Sequence, residues 1–424
     1  MTLGSKISES LRTRRGWAQE TLCRLVSFPS TTGAEARIQE ALAGILAGLG
    51  LPFEAVPIPE TIVEDPDYTV VPGHAGYHGR PNLLVDLKGS GGGGVASVII
   101  NTHVDVVPGP PGMFTPRVEN GTVFGRGACD AKGQVVTLLL ALTALKDAGV
   151  RLRKDVQAQF VIEEEAGGNG SLAAILGAGL TGPASAVVLE PTGLRARSAN
   201  RGAVWFRLEV EGRTVHMGRA REGVSAVDEM AGLLPILKEY EALLRAASKG
   251  QPGFPDDPSP VVVNVGRIQG GDWPSTVPGK CVAEGGIAFL PNRTIGVIMG
   301  ELRDILNLRA GAWAREHHRL ETAGLHNEAF ATDPAHPAVH LFRQIAESVV
   351  GPQGLEGWEA SCDARLFFHR GGMPTIVFGA GDLGHAHSLV EQVRIDDILL
   401  AAETVARFLI ACCGVVQGEE EHGR

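Results

Sequence analysis

The chain is poor in aromatic residues, which fill 5% of its 424 positions, and it has only 3 tyrosines. It lacks any run of about 18 apolar residues, so no segment reads as a membrane span. Its 6 cysteines (Cys23, Cys129, Cys281, Cys362, Cys412 and Cys413) offer no C-x-x-C spacing. A chain this long needs no covalent staples, and reduced thiols in a cytoplasmic protein are the expectation. Positive charge is short as well: 38 Lys and Arg against 48 Asp and Glu leave a net charge of −10. The basic run Arg12, Arg14, Arg15 is offset by Glu9 and Glu20, so the footprint of a nucleic-acid binder is missing. The opening stretch MTLGSKISESLRTRRG has no apolar segment of the kind a secretion signal needs, and no Gly at position two for myristoylation. With 44% hydrophobic and 20% charged residues, collagen, a coiled-coil rod and a largely disordered chain are excluded. Glycine is what abounds: 56 residues, roughly twice the usual share. That density means many turns, caps and close backbone approaches. The charged tail GEEEHGR is expected to fray.

Length alone suggests about two to three domains. Residues 16–28 and 34–49 carry apolar residues at helical spacing. Asn82–Lys88 and Val95–Asn101 read as strands, the second a continuous apolar run suited to burial on both faces. A helix is expected over Gln134–Ala148, a buried strand over Val156–Ile162, a short helix near Ser171–Leu176 and a strand over Ala186–Leu189. This alternation predicts an α/β domain with a mostly parallel sheet. The grammar changes near residue 200. Val204–Glu211 alternates polar and apolar residues, as a half-exposed antiparallel strand does. A helix over Ser225–Leu244, strands over Val261–Ile268 and Lys280–Leu290, and a helix near Thr294–Leu308 follow, so 201–324 reads as an inserted α+β domain. KGQPGFPDDPSP and GSGGGG (89–94) read as loops. After 325 the α/β pattern resumes, with helices at Ala338–Val350 and Ile395–Cys412 and a strand at Thr375–Phe378. The outer domain would thus be split into 1–200 and 325–424.

Acids and histidines recur where strands end, which is where open α/β sheets bind ligands. VIINTHVDVVP puts His103 and Asp105 after a buried strand. The pair reads either as a metal ligand with its orienting carboxylate, or as a loop histidine beside a solvated acid. Asp130, in GRGACDAKGQ, stands before the long apolar helix and reads as an N-cap or as a ligand. Three consecutive acids, Glu163, Glu164 and Glu165, follow another buried strand. Packing them together is costly unless cations or protons compensate; the bland reading is a solvated acidic turn. Glu190 in VVLEPTG, and His385 and His387 in GAGDLGHAHSLVE, repeat the theme. Nitrogen and oxygen donors without thiolates suit Zn²⁺, Mn²⁺ or Co²⁺.

Taken in order, these motifs resemble the M20 metallopeptidase family of di-metal amidohydrolases, which includes acetylornithine deacetylase, succinyl-diaminopimelate desuccinylase and carboxypeptidase G. The resemblance runs from about residue 15 to 410. It rests on H-x-D (His103, Asp105), G-R-G-x-x-D-x-K-G (125–133), the pair Glu164–Glu165, E-P (Glu190, Pro191) and A-H-x-x-x-E (Ala386 to Glu391). It implies a mostly parallel α/β catalytic domain with an inserted ferredoxin-like lid and dimerisation domain. It also implies two divalent ions per chain, zinc first and manganese or cobalt as alternatives. His103 and Glu190 would hold one ion, Glu165 and His387 the other, and Asp130 would bridge them. Glu164 would be the general base and Asp105 would orient His103; His385 fits the motif frame less well than His387.

The segment EGRTVHMGRAREGVSAVDE resembles the lid, where His216 matches the histidine that stabilises the tetrahedral intermediate, in dimeric relatives at the partner's active site. IQGGDWPSTVPGKC (268–281) matches another lid element. Three departures stand out: Met217 after His216, Ser275 and Thr276 where relatives have an Asn, and Ala288 where many carry a carboxylate-gripping Arg. Arg365, in CDARLFF, reads as a substrate contact or as the partner of Asp363. The implied activity is hydrolysis of a C–N bond, such as the amide of an N-acyl amino acid, in a cytoplasmic homodimer joined through the lid. Hydrolytic deamination of an aromatic amine on the same site is the alternative, and a non-catalytic binding homologue is the rival from another class.

Overall fold

The computed structural model describes residues 2–71, 76–91, 96–177, 185–254, 260–354 and 356–416. GEEEHGR lies outside them, as do Val95 and parts of the two glycine- and proline-rich loops. The chain divides into two compact units. One comprises Met1–Ser198, Thr332–Glu356 and Cys362–Arg424; the other comprises Ala199–Ala331 and Gly357–Ser361.

The first unit is built on a six-stranded sheet. Its spatial order is Glu54–Val56, Asn82–Leu87, Val156–Val161, Val98–His103, Ser185–Leu189, Thr375–Phe378. The last four strands pair in parallel, and the first two join antiparallel at one edge. Every residue of the four parallel strands is buried; Ser185–Leu189 and Thr375–Phe378 accordingly read as largely apolar runs, whereas Val156–Val161 also buries Gln157 and Gln159, and Val98–His103 ends on Asn101, Thr102 and His103. Polar side chains inside the sheet pair with one another. Asn101 Nδ2 donates to Gln159 Oε1 at 3.1 Å and to Ser171 Oγ at 2.9 Å.

Helices Lys132–Asp147 and Ile395–Cys413 pack together and against Val98–His103, while Asn169–Gly177 and Ala364–His369 pack against the other parallel strands. Lys132–Asp147 is buried from Lys132 to Leu145, in keeping with a helix apolar all round. Two differences from the sequence pattern affect the site. The strand expected over Val95–Asn101 runs Val98–His103, because Asn101, Thr102 and His103 remain buried and keep pairing with Val156–Val161. An unanticipated helix, Leu3–Thr13, opens the chain, with Ile7 and Leu11 buried.

The second unit is a four-stranded antiparallel sheet in the order Val262–Gly270, Lys280–Phe289, Gly202–Glu211, His318–Asn327. Helices Ala226–Ala247 and Ile295–Arg309 share its core, where Phe206, Leu233, Leu237, Leu302 and Leu306 are buried. Ser225 caps the first helix by accepting the Asp228 N–H at 3.2 Å. The strand–helix–strand–strand–helix–strand order is that of a ferredoxin-like unit. Its last strand, His318–Asn327, was not apparent from periodicity: a register shift between Thr322 and His326 breaks the alternation.

Candidate metal centre

Parallel strands end on one side of a sheet, and that side of the first unit gathers the acids and histidines. His103 is the last residue of its strand. Glu163, Glu164 and Glu165 follow Val156–Val161, and Glu190 follows Ser185–Leu189. His387 comes from the loop after Thr375–Phe378 and holds φ at 59°, a left-handed conformation uncommon outside glycine. Asp130 precedes Lys132–Asp147, yet the helix has Ala131 at its N-cap and no side-chain cap bond. The capping role open to Asp130 in the sequence is therefore not the one it takes.

Two clusters result. In one, single donor atoms of His103, Glu164 and Glu190 lie within 4.8 Å of one another; in the other, those of Asp130, Glu165 and His387 do. Asp130 faces both: Oδ1 is 3.2 Å from His103 Nε2, and Oδ2 is 3.3 Å from His387 Nε2. His387 Nε2 is also 3.1 Å from Glu165 Oε2. His103 Nε2 lies 3.9 Å from Glu190 and 4.0 Å from Glu164.

The other ring nitrogen, His103 Nδ1, sits 3.1 Å from the Asp105 carbonyl and 3.3 Å from its carboxylate. Asp105 is wholly buried and also receives the backbone N–H groups of Glu164 and Glu165, at 3.0 and 3.1 Å. The acid-bearing turn then passes through Gly167 (φ 118°) and Gly168 (φ 82°). A Cβ at either would come within 2.2 Å of Thr69 Oγ1 or Asp363 Oδ1 respectively, so the close approach and the positive φ both require glycine.

The electrostatics are those of crowded, dehydrated acids. Burial pushes the Glu190 carboxyl up to about 8 and raises Glu164 and Glu165 as well. Hydrogen bonds to Asp130 and Glu165 lift His387 to about 10. Burial opposes the charge on His103, but its bonds to Asp105, Asp130 and Glu190 outweigh that and raise it. Asp130 moves the other way, since bonds from His103 and His387 outweigh its burial. The donor set fits two divalent ions. Four carboxylates and two imidazoles converge, and Glu190 Oε1 is buried with no hydrogen-bond partner, a costly state that a cation relieves.

Residues 99–411 match the family model of peptidase family M20/M25/M40. The chain belongs to this family. It is a hydrolase acting on C–N bonds. It is 27% identical over 364 residues to the N-formyl-4-amino-5-aminomethyl-2-methylpyrimidine deformylase of Bacillus subtilis (strain 168), covering 80% of this chain and 84% of that protein. It is 29% identical over 341 residues to the acetylornithine deacetylase of Myxococcus xanthus, covering 78% and 84%. In fold it is similar to a Bacillus subtilis protein described as a dinuclear metal binding peptidase from the M20 family, with a TM-score of 0.66 at 13% identity over 96% of this chain and 100% of that one.

The structure thus brings together His103, Asp105, Asp130, Glu164, Glu165, Glu190 and His387. His385 belongs to neither cluster. His216 lies in the second unit, where its Nδ1 accepts the Gly218 N–H at 3.1 Å and its backbone bridges to Thr276. Arg365 is buried and donates to the Gly167 carbonyl at 2.9 Å. Two supporting groups were not singled out from sequence. Glu391 Oε1 accepts the backbone N–H groups of Gly127 and Asp130, at 2.9 and 3.2 Å, and Oε2 pairs with Arg126 at 2.5 Å. Thr32 Oγ1 donates to Asp105 at 3.1 Å. Glu391 closes the A-H-x-x-x-E motif, so a signal for it existed; Thr32 had none.

Proposed function

We propose that the chain is a two-metal amidohydrolase that removes a formyl or other small acyl group from the nitrogen of a small molecule. The observation that carries this reading is the placement of Asp130, one carboxylate oxygen toward each histidine and each histidine within its own donor cluster. His103 and Glu190 are assigned to one ion, Glu165 and His387 to the other, with Asp130 shared. Zinc is the first choice, manganese or cobalt the next. Bound divalent ions supply Lewis acidity to the scissile carbonyl and acidify water.

The chain's own residues do the rest. Glu164 takes the proton from the attacking water and returns it to the leaving amine nitrogen. In the ion-free protein burial raises its carboxyl, which favours its holding the proton between those two steps. Asp105 fixes the ring of His103 and the backbone of Glu164 and Glu165 together. His216 is assigned to the oxyanion of the tetrahedral intermediate, acting in a homodimer formed through the second unit. Arg365 is assigned a substrate contact through its Nε, which is buried without a hydrogen-bond partner. The cytoplasm is the assigned compartment.

The relatives named for a formylated pyrimidine and for acetylornithine set the substrates to test. Formamides, N-acetyl amino acids, dipeptides and aromatic amines should be offered to protein loaded in turn with Zn²⁺, Mn²⁺ and Co²⁺. The expected result is chelator-sensitive release of formate or acetate. Ammonia release from an aromatic amine alone would turn the reading to an aminohydrolase, and full activity in a metal-free preparation would sink it.

A further inference from the structure

We infer that Glu163 is a positioning residue: clamped by Arg80, its carboxylate fastens the turn that sends Glu164 to one donor cluster and Glu165 to the other. The inference rests on the two-metal reading above.

Three consecutive acids point three ways. Glu164 and Glu165 reach different clusters, whereas Glu163 turns inward and is completely buried. One of its oxygens meets Arg80 Nη1 at 2.8 Å. The other accepts from Tyr77 Oη at 3.0 Å and from Asn169 Nδ2 at 2.9 Å. The same Arg80 nitrogen holds Glu35 at 2.7 Å, so one guanidinium ties the turn to the segment leading into the helix Ala36–Gly48.

Backbone geometry shows what this clamp does. Glu163 has φ at 61°, a conformation that glycine adopts freely and glutamate does not. The reversal at Glu163 sets the direction of the next two residues. The turn is closed by the Gly168 N–H on the Glu163 carbonyl at 2.8 Å and the Gly167 N–H on the Glu164 carbonyl at 2.9 Å. With Asp105 gripping the N–H groups of Glu164 and Glu165, the segment is fastened on both sides of the paired acids.

Energetics argue that the clamp is not there for stability alone. Removing charges from water costs about as much as a buried ion pair returns, and apolar packing of equal volume often does better. What an ionic clamp adds over apolar packing is a defined direction, through charge-assisted bonds at fixed angles. Two donor clusters that must share one turn need that direction.

The test uses the full-length protein with Glu163→Gln, which keeps volume, and Arg80→Lys, which keeps charge but loses the fork. Three readouts are taken against wild type: amide exchange of the segment 162–168 without metal, the visible absorption of bound Co²⁺, and kcat and KM on a substrate found in the panel above. For Glu163→Gln the expected result is local exchange at least tenfold faster, a changed cobalt spectrum, and kcat at least tenfold lower with KM within twofold. Arg80→Lys should fall between it and wild type. A lower Tm with unchanged local exchange, cobalt spectrum and kcat would overturn the inference and leave Glu163 as packing. Should Glu163→Gln not fold, Arg80→Lys is measured by the same three readouts, and the same outcomes support or overturn the inference. Failure of the wild type to take up cobalt defeats the two-metal reading instead, and the exchange comparison then decides separately whether Glu163 fastens the turn.

Discussion

Asp105 Oδ1 accepts the backbone N–H of Glu164 at 3.0 Å and lies 3.3 Å from Nδ1 of His103. One buried carboxylate therefore orients a ligand of the first cluster and the residue proposed as base. Partners of this kind, when removed, cost roughly 10–100-fold in metal affinity or activity. Asp105→Asn keeps the shape but places an amide N–H against one of the donors Asp105 now faces. The expectation is a loss of about that size in kcat/KM, seen in steady-state kinetics, together with weaker metal uptake in a competition titration. Wild-type values for both would remove Asp105 from the machinery.

Glu164 lies in the first donor cluster and is also the assigned base, and one substitution separates these roles. Glu164→Ala should lower kcat by about 10²–10⁴-fold, the range of general base catalysis, while elemental analysis finds the metal content of wild type. A drop in metal content alongside kcat would make Glu164 a ligand, and the proton-transfer role would need another owner.

Metal uptake should depend on pH with a definite sign. In the metal-free protein, bonds to Asp130 and Glu165 hold His387 protonated up to about 10. Burial keeps the Glu190 carboxyl protonated up to about 8. Each must lose its proton to act as an electron-pair donor, so ion binding releases protons and tightens as pH rises. Calorimetric titration with Zn²⁺ at neutral pH, in buffers of different ionisation enthalpy, should give a net release of more than one proton per chain. A release near zero would mean that these groups are already deprotonated before the ions arrive.

The parallel strands were legible where burial on both faces selects mostly apolar side chains, as in Ser185–Leu189 and in Thr375–Phe378, which matches its expected bounds. The ligands were legible because they sit at strand ends beside glycines, within motifs whose order is itself informative. What sequence did not reveal is long-range. Arg80 reaches Glu163 across 83 positions and Glu35 across 45, and no periodicity or motif signals such pairings. The last strand of the second unit was hidden by its irregular register. The strand carrying His103 was displaced because buried polar residues, paired inside the sheet, imitate a strand end.

Glu391 offers a test of how the site is supported from below. Its carboxylate and Arg126 are almost fully buried, and it holds the loop before Asp130 through the Gly127 and Asp130 N–H groups. Glu391→Ala strands a buried guanidinium and unpairs those backbone donors. Removing one partner of a buried ion pair costs about 3–5 kcal/mol, and urea unfolding of the metal-free protein should show a loss of that order. Glu391→Gln keeps an oxygen for the backbone donors and should lose less. If the cost comes from the stranded charge and not from lost attraction, the double variant Arg126→Met with Glu391→Leu should regain part of the stability lost by Glu391→Ala. It should not regain kcat, because the loop that aims Asp130 stays loose. Recovery of both would show that packing alone positions Asp130.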